Sequence, residues 1–458
     1  MKSLSQNIGS GNSVNKPTNI GCVVENDLCV GCGVCEAACP NKAIEVIFNT
    51  EGGMPIPRVN AEKCNGCQKC LDVCYGHEVD HALNFRIFGR MPPSVVGNFK
   101  RCYIGYANDQ TLRYIATSGG VVTALLTYAL EQGLIDGAIV TKMEAGNPPI
   151  PKAFVASTVG EIVSSLGSKY CPVSLAECLN TLKTGKRYAV IGLPCHIYGT
   201  RKLVEFNPRI RNSILFYFGI LCGGMPSYFG TSYILKRCNI EKHYITKFEY
   251  RGGGWPGRLL IRGKKQTPDR EIEIRIPYPD YWRGTYQFFF PLRCTLCHDG
   301  FNEFSDVSFG DVWLSNFTKN ENNGLSVIIA RTDAGERLIQ EALQKNYIQV
   351  NTIAVQDVTR SQQGLIRFKF STLRARINLF KKLGRKLPTF DLSRTPPANF
   401  DSYFSAIGLY LGKTLASKKN LWWIFDIYVS LYSLATIARN YAKMLRLRLL
   451  RLAISRCS

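Results

Sequence analysis

The stretches CVGCGVCEAACP at residues 29–40 and CNGCQKCLDVCY at residues 64–75 decide the fold of the first part of the chain. Both read C-x2-C-x2-C-x3-C, and moving the first set of cysteines by 35 residues lands on every member of the second set. This is an internal repeat, with a strand-like run at 43–48 after its first half. The sequence therefore predicts that roughly 60 residues form one compact unit.

The cysteine spacing points to iron–sulfur chemistry. Three thiolates spaced by two residues can reach one [4Fe-4S] cubane from a single loop, and in the bacterial ferredoxin spacing the fourth Cys of each run ligates the other cluster. The predicted ligands are Cys29, Cys32, Cys35 and Cys74 for one cluster, and Cys64, Cys67, Cys70 and Cys39 for the other. A disulfide knot would need a secretory context, and a pair of zinc sites would not need a third Cys at this spacing.

The composition predicts two or three globular domains. The chain has 458 residues, of which 45% are hydrophobic and 20% charged, which argues against disorder, collagen and a multi-span membrane protein. Lys and Arg outnumber Asp and Glu by 57 to 34, which favours acidic redox proteins, phosphate-bearing cofactors or anionic lipid as partners. No nucleic-acid recognition motif is present, so nucleic acid is not an expected partner. The polar first residues lack the apolar run of a secretory signal, so a cytoplasmic, thiol-reducing location is expected.

An α/β pattern begins near residue 92. Strands are predicted at 103–107, 137–141, 188–193, 214–221 and 325–330. Ser118-Gly119-Gly120 opens an apolar helix between the first two strands, which gives a βαβ-like unit. We expect a largely parallel sheet, with an antiparallel β insertion at residues 245–276.

Four further cysteines have a pattern that suggests a shared site. Cys195 and Cys222 each follow a predicted buried strand, which places both thiols at the carboxyl edge of the sheet, where α/β proteins bind ligands. Cys294 and Cys297 form a C-x2-C pair in a loop. Spacing alone leaves open a third cubane, a zinc site, or buried apolar filling by Cys195 and Cys222.

The C-terminal part of the chain differs in composition from the body. A Pro-rich linker at about 383–400 leads to 421–438, where Asp426 is the one charged residue. Basic residues without an acid follow, namely Arg439, Lys443, Arg446, Arg448, Arg451 and Arg456. Three interpretations stay open: a helix packed on the body, an interfacial membrane helix with a basic flank, and a marginal transmembrane span.

Five motifs in the body resemble the coenzyme F-420 hydrogenase/dehydrogenase beta-subunit family. They are TSGGVVTALLTYALEQGLIDGAIV at 117–140, GSKY at 167–170, IGLPC at 191–195, CGGMPS at 222–227 and RCTLCHDGFNEFSDVSFGDVW at 293–313. The resemblance covers roughly residues 95–390. Gly223 stands where many relatives carry His, and the tail after about residue 400 lies outside the match.

The resemblance implies a flavoprotein that carries FAD and a [4Fe-4S] cluster besides the two N-terminal ones. Ser118, Gly119 and Gly120 would offer backbone N–H groups to the flavin pyrophosphate, although Ser-Gly-Gly is also an ordinary helix start. Lys169 would neutralise phosphate or a reduced flavin, or be a solvated surface Lys. Asp311 would orient a flavin or ribose group, or make local turn contacts.

The predicted fold is an α+β ferredoxin-like iron–sulfur domain, an α/β flavin-binding domain with an antiparallel β insertion, and a helical C-terminal tail. The predicted segments are a disordered N-terminus (1–19), the ferredoxin domain (20–90), the α/β flavin-binding part (91–243), the part with the Cys-x2-Cys cluster loop (244–385), and the linker with a basic amphipathic tail (386–458).

The expected function is that of a cytoplasmic oxidoreductase that passes electrons between [4Fe-4S] clusters and FAD, for hydride transfer to or from a deazaflavin or an organic substrate. It would be linked to polysaccharide biosynthesis, as implied by relatives with an N-terminal ferredoxin unit. Expected partners are a ferredoxin-type electron donor or acceptor, or a partner enzyme subunit. The alternative is an electron-relay subunit that has no substrate of its own.

Overall fold

A computed structural model describes residues 18–241, 243–264, 271–319 and 321–454, with side chains except those of residues 318 and 442–454. The predicted disordered N-terminus thus lies outside the described residues except for its last two. The described strands are β1 (Ile44–Asn49), β2 (Met54–Val59), β3 (Arg101–Ala107), β4 (Gly137–Glu144), β5 (Ile150–Ala156), β6 (Tyr188–Gly192), β7 (Ile214–Ile220), β8 (Tyr244–Glu249), β9 (Arg258–Lys264), β10 (Glu271–Pro277), β11 (Val307–Asp311), β12 (Ser326–Ala330) and β13 (Ile348–Ile353).

The helices fall between and after these strands. They are α1 (Gly21–Glu25), α2 (Val34–Ala38), α3 (Lys69–Asp72), α4 (Ala82–Phe88), α5 (Gln110–Ile115), α6 (Val121–Glu131), α7 (Val159–Ser164), α8 (Ala176–Thr181), α9 (Pro194–Phe206), α10 (Tyr228–Arg237), α11 (Leu292–Thr295), α12 (Ser315–Thr318), α13 (Asp333–Gln344), α14 (Val355–Ser361), α15 (Gln363–Ile366), α16 (Leu373–Lys382), α17 (Phe400–Ala416) and α18 (Trp422–Ile454). Short 3₁₀ turns lie at Asp280–Trp282, Tyr286–Phe289 and Lys419–Leu421, and a π-helical turn at Arg367–Ser371.

The internal repeat is also present in the backbone of the N-terminal unit. Gly31 and Gly66, 35 residues apart, both have a left-handed backbone, with φ of 74° and 72°. Gly33 and Gln68 are a second such pair, and each precedes a short helix, α2 or α3. Between the halves, β1 and β2 form an antiparallel hairpin in which Ile44 pairs with Val59. The two cysteine loops therefore turn in the same way.

The large sheet of the body is mixed, which corrects the expectation of a largely parallel sheet. Its order is β13-β3-β12-β11-β7-β6-β4-β5. The parallel pairs are confined to the centre, from β11 through β7 and β6 to β4. β5 is antiparallel to β4 because residues 145–149 make a short hairpin connection, which cannot hold the crossover that a parallel pair needs.

The predicted βαβ-like unit does not place its two strands side by side. β3 and β4 lie in the same sheet, but β12, β11, β7 and β6 separate them. The insertion is an antiparallel sheet as predicted, and its three strands have the order β10-β9-β8.

The N-terminal unit and the body share one apolar core. Val34 and Val73 of the N-terminal unit lie in the same buried cluster as Leu175 and Ile197 of the body. The Leu175 backbone N–H donates to the Cys32 carbonyl at 2.9 Å. Arg293 of the body also donates to the Tyr75 carbonyl at 3.0 Å. These contacts fix the first cysteine loop against the body.

Two helices form the tail, and one side of the second packs on the body. Trp422 and Phe425 at the start of α18 are buried in a cluster with Tyr233 and Phe289. The stretch Lys419–Tyr441 is 23 residues long and contains an 18-residue window with a mean hydropathy of 1.4, so within the described part of the chain it meets the length and composition needed to cross a membrane. The side chains of the predicted basic flank from Lys443 to Arg451 are not described, and Arg456 lies outside the described residues.

Candidate cysteine cluster and cofactor sites

The first predicted ligand set comes together in the structure. The Cys35 thiol has the thiols of Cys32, Cys74 and Cys29 as electrostatic neighbours, and burial, with these neighbours, raises its pKa. Burial likewise raises the pKa of Cys29 to about 12. The Gly31 backbone N–H points at the Cys29 sulfur from 3.4 Å. Cys74 reaches this site from the other half of the repeat, so the structure has the crossed arrangement.

The second set lines another cavity. Cys39, Cys64, Cys67 and Cys70 border one small pocket. The Ala43 backbone N–H lies 3.2 Å from the Cys39 sulfur, and the Asn19 amide lies 3.8 Å from the Cys64 sulfur. Cys67 is exposed, whereas Cys32, Cys35 and Cys74 of the first set are buried. The second set is therefore the one nearer to solvent.

The four remaining cysteines of interest line a single pocket at the carboxyl edge of the large sheet. Cys195 lies in the first turn of α9, directly after β6, and Cys222 follows β7. Cys294 lies in α11 and Cys297 just beyond it. Burial raises the pKa of the Cys222 thiol to about 12, and Cys294 and Cys297 act in the same direction.

The cysteine sets do not have the tight geometry of a single-ion site. Among the described residues, no three His, Cys, Asp or Glu side chains are grouped so that they could hold one metal ion. Sulfur ligands of zinc lie about 2.3 Å from the ion, so they must converge closely, whereas a cubane separates its four ligands by its own body.

Lys369 is a residue of this site that no sequence pattern selects. It lies in the π-helical turn Arg367–Ser371 and is 1% exposed. Burial alone would lower the pKa of Lys369, but the neighbouring sulfurs of Cys297, Cys222 and Cys294 outweigh it, so the net effect raises the pKa. A buried cation thus faces three of the four body cysteines. π-Helical turns are frequent at functional sites, but they have no sequence signature.

The first N-terminal set adjoins the body set. Cys294 acts electrostatically on Cys29, and Cys32 acts on Cys195. The Tyr75 hydroxyl, one residue after Cys74, lies 3.4 Å from the Cys297 sulfur. The shared core and the Leu175 hydrogen bond described above hold this junction. The order along the molecule is therefore second N-terminal set, first N-terminal set, body set.

The two glycines of the Ser118-Gly119-Gly120 motif allow the backbone to pack closely against the edge of the sheet. A Cβ at Gly119 would lie 2.5 Å from the Gly105 carbonyl oxygen, and Gly120 has a φ of +76°. The Ser118 hydroxyl donates to the Leu325 carbonyl at 2.9 Å. The N-terminus of α6 itself has no side-chain cap and no acidic residue in its first turn. The Gly119 N–H, one of the predicted donors, is already used, because it donates to the Ser326 hydroxyl at 3.0 Å. An anion would therefore have to be bound by the first N–H groups of α6 itself.

Lys169 and Asp311 lie near this motif but have partners within the protein. The Ser168 hydroxyl donates to the Thr117 hydroxyl at 3.0 Å, which brings the 168–169 segment to the start of α6. The Lys169 ammonium donates to the Leu166 and Gly167 carbonyls at 3.0 and 2.9 Å, just after α7. Burial lowers the pKa of Lys169 to about 7.

Asp311 is held by a buried arginine that was not predicted. Arg251 is 3% exposed, and its guanidinium lies 2.8 Å from the Asp311 carboxylate. The same guanidinium donates to the Thr117 carbonyl at 2.8 Å, and the Trp255 indole donates to Asp311 at 3.1 Å. The five predicted flavin residues therefore lie in one region at the carboxyl edge, and Arg251 joins one of them, Asp311, to Thr117, the residue before Ser118.

His196 is a core residue in this structure. Its Nε2 lies 2.9 Å from the Val173 carbonyl, and its Nδ1 accepts from the Leu193 backbone N–H at 3.3 Å. Burial lowers the pKa of His196 to about 4. Both ring nitrogens are thus used in holding α9 in place.

The fold and the cysteine sets define an iron–sulfur protein with a ferredoxin-like N-terminal domain and a mixed α/β body. A 4Fe-4S dicluster domain model matches residues 28–75. The models for the N-terminal and C-terminal parts of the coenzyme F420 hydrogenase/dehydrogenase beta subunit match residues 102–180 and 185–356, together more than half of the chain. The chain belongs to this beta-subunit family and has a dicluster domain at its N-terminus.

Curated relatives are similar at low identity. The coenzyme F420-dependent sulfite reductase of Methanocaldococcus jannaschii is 26% identical over 381 residues, which is 78% of this chain but 52% of that protein, so the chain spans about half of its length. The coenzyme F420 hydrogenase subunit beta of Methanothermobacter thermautotrophicus is 26% identical, over 57% of this chain and 86% of that one. The protein of the same name from Methanosarcina barkeri is 27% identical, over 56% and 84%.

A solved structure was also matched. A chain of the F420-reducing [NiFe] hydrogenase complex from Methanosarcina barkeri is 19% identical and has a TM-score of 0.49, with coverage of 65% of this chain and 98% of that chain.

Proposed function

We propose that the chain is an iron–sulfur flavoprotein oxidoreductase that exchanges electrons between a dicluster domain, a third [4Fe-4S] cluster and FAD, with a deazaflavin or an organic molecule as the hydride donor or acceptor. The observation that carries the proposal is the junction between the first N-terminal cysteine set and the four body cysteines. An electron that enters a dicluster domain needs a neighbouring redox centre through which it can leave. The four body cysteines lie next to the first N-terminal set, where such a centre is needed.

The body set fits a cubane in its chemistry. Four thiols supply the ligand type that iron–sulfur clusters require, and they border one cavity. Cys195 and Cys222 are positioned by the ends of neighbouring parallel strands, whereas Cys294 and Cys297 come from one short loop. Lys369 places a positive charge beside the sulfurs, and such a charge favours thiolate over thiol.

The region at the start of α6 fits the anionic part of a flavin nucleotide. The uncapped N–H groups of α6 would receive the pyrophosphate, and Arg251 would hold Asp311 and Thr117 in place beside it. Lys169, on the 168–169 segment, would lie near the same region. Because burial lowers the pKa of Lys169 to about 7, its ammonium would be only partly protonated near neutral pH. When bound, FAD supplies the conversion between one-electron and two-electron chemistry, which cubanes cannot perform.

Three finer parts of the proposal rest on the family resemblance alone. These are the use of a deazaflavin, a link to polysaccharide biosynthesis, and a ferredoxin-type protein or a partner enzyme subunit as the electron partner. A cytoplasmic location is a further proposal. The relay alternative gives the chain no substrate of its own, so the two versions differ in whether the purified chain turns over.

Turnover by the purified chain tests the proposal. Protein purified without oxygen, and supplied with iron, sulfide and FAD, is mixed with a reduced ferredoxin and then with the oxidised deazaflavin or a nicotinamide acceptor. We expect FAD to stay bound through gel filtration and its absorbance to bleach before the acceptor is reduced. Bound FAD that is reduced without any acceptor turning over would favour the relay version. Protein that never retains FAD would overturn the flavoprotein proposal.

A further inference from the structure

Over residues 422–441, where the side chains of α18 are described, the helix has two apolar sides, and the body covers one of them. On the covered side, Trp422 and Phe425 are 3% and 0% exposed. The Tyr233 hydroxyl donates to the Asp426 carboxylate, and the Trp422 indole donates to the Ala416 carbonyl at 2.9 Å. These contacts fix the helix against the body and set which side points outward.

The outward side is a stripe of large apolar side chains. Trp423, Ile427, Leu431, Leu434 and Tyr441 are 63%, 55%, 62%, 63% and 59% exposed. Their spacings of four, four, three and seven residues keep them on one face of a helix. At about 1.5 Å per residue, this outward stripe runs for about 27 Å. Its two ends are aromatic residues, which favour the boundary between lipid and water.

The charge around the outward stripe is mostly positive. Between residues 401 and 458 the sequence holds nine Lys or Arg residues and two acids, Asp401 and Asp426. Asp401 lies 3.7 Å from the Arg439 guanidinium, and Asp426 is engaged by Tyr233, so both acids of this segment already have partners. Such a flank attracts an anionic surface, whereas a second copy of the chain would bring the same positive charge against it.

We propose that the outward stripe lies in the interface of an anionic membrane, with α18 parallel to the surface and the body on the aqueous side. A transmembrane path for Lys419–Tyr441 conflicts with the packing, because its covered side contacts Phe288, Phe289 and Tyr233 of the body and not lipid. The proposal concerns location, so it stands whether or not the chain turns over a substrate.

Vesicle flotation of the full chain with its clusters tests this proposal. We expect the chain to float with vesicles of phosphatidylcholine and phosphatidylglycerol, to float at least tenfold less with pure phosphatidylcholine, and to be released by high salt. The double variant Ile427→Gln/Leu431→Gln should reduce flotation at least tenfold, because it removes apolar contact without touching the covered side. The matched control Phe85→Gln/Ile115→Gln changes exposed apolar residues of α4 and α5 and should float like the wild type.

Lipid-borne quenching of tryptophan fluorescence gives a second readout. Bromine-labelled lipids should quench the wild type, and Trp423→Phe should remove most of that quenching, whereas Trp313→Phe should not. Equal cluster absorbance in all variants shows that they are folded. Flotation that is equal for wild type and Ile427→Gln/Leu431→Gln would overturn the proposal. So would dimerisation without lipid that this double variant abolishes, in a chain that does not float.

Discussion

Lys369 is a buried cation whose electrostatic partners are the sulfurs of Cys297, Cys222 and Cys294. A positive charge next to a cluster stabilises the state that carries one more electron, because reduction adds negative charge. The lysine therefore acts as a positioning residue that tunes the proposed third cluster. Its effect should appear in the reduction potential before it appears in the iron content.

Replacing Lys369 by Met should lower the reduction potential of the third cluster. A charge-assisted hydrogen bond contributes about 1.5 to 3 kcal/mol, and 1.4 kcal/mol corresponds to about 59 mV for one electron, so we expect a fall on the order of 60 mV. An electron paramagnetic resonance titration measures it. Lys381→Met removes the same charge from an exposed site on α16 and should leave the potential unchanged. A shift of equal size in both variants would contradict a local role.

Lys169 predicts a pH dependence of stability. Its pKa is lowered from 10.5 to about 7 in the folded chain, mainly by burial. Between these two pH values the unfolded chain keeps the proton that the folded chain has released, so the free energy of unfolding rises with pH over this window. Below about pH 7 both states are protonated, and the cost of the buried charge is present in full.

The comparison with Lys169→Met isolates this effect. Relative to the variant, the wild type should gain stability between pH 7 and 10, by no more than about 4 kcal/mol. Guanidinium unfolding at several pH values measures the difference. Lys152→Met, at an exposed position of β5, is the control. A difference between wild type and Lys169→Met that stays flat over this range would show that Lys169 is charged in the folded chain.

At the residue scale, the sequence was most informative about cysteines. Their spacing alone predicted the two N-terminal sets, and strand ends predicted that Cys195 and Cys222 lie at one edge of the sheet. Spacing left open whether these two share a site with the C-x2-C pair. Lys369 and Arg251 could not be predicted, because each acquires its role through burial against residues more than 50 positions away. A single Lys or Arg in a sequence carries no sign of such a contact.

At the scale of elements, the contact between α9 and α2 joins the two domains. A Cβ at Gly199 of α9 would lie 3.0 Å from a methyl carbon of Val34 and 3.1 Å from the Val73 carbonyl oxygen. The glycine thus permits the close approach that brings the first cysteine set to the body. Gly160 of α7 has open space in the same position.

The pair Gly199→Ala and Gly160→Ala tests this contact. Overpacking costs about 1 to 3 kcal/mol, and the gain in helix propensity offsets about 1 kcal/mol, so Gly199→Ala should lose up to about 2 kcal/mol of stability. It should also slow electron passage from the N-terminal clusters to the body in stopped-flow reduction. Gly160→Ala should be neutral or slightly stabilising. Equal behaviour of the two variants would mean that the domain contact tolerates the added methyl.

The predicted elements were mostly found near their predicted positions, but their order in the sheet was not predictable. Hydrophobic runs identify strands such as β6 and β7 because both are buried on both faces. They do not say which strands pair, so β3 and β4 were expected to be neighbours and are not. The expectation of a largely parallel sheet failed where short connections or returning strands placed β5, β12 and β13 antiparallel.

At the scale of the whole molecule, the three cysteine sets lie one after another. The second cysteine set is nearest to solvent, the first set lies at the domain junction, and the body set lies at the carboxyl edge, on the same sheet edge as the start of α6. The sequence repeat predicted the first two cysteine sets. The assembly of the body set depends on the fold, because its four cysteines come from three separate segments.

The measurement that tests this account most directly is the iron content of the full chain with and without two body ligands. Each cubane holds four irons, so the wild type should contain about 12 irons per chain, and Cys294→Ala/Cys297→Ala should contain about eight and no longer pass electrons from the N-terminal clusters to flavin. The control Cys178→Ala/Cys238→Ala removes two other body cysteines and should keep about 12. A wild type with about eight irons, or a folded Cys294→Ala/Cys297→Ala variant with unchanged iron, would contradict the third cluster.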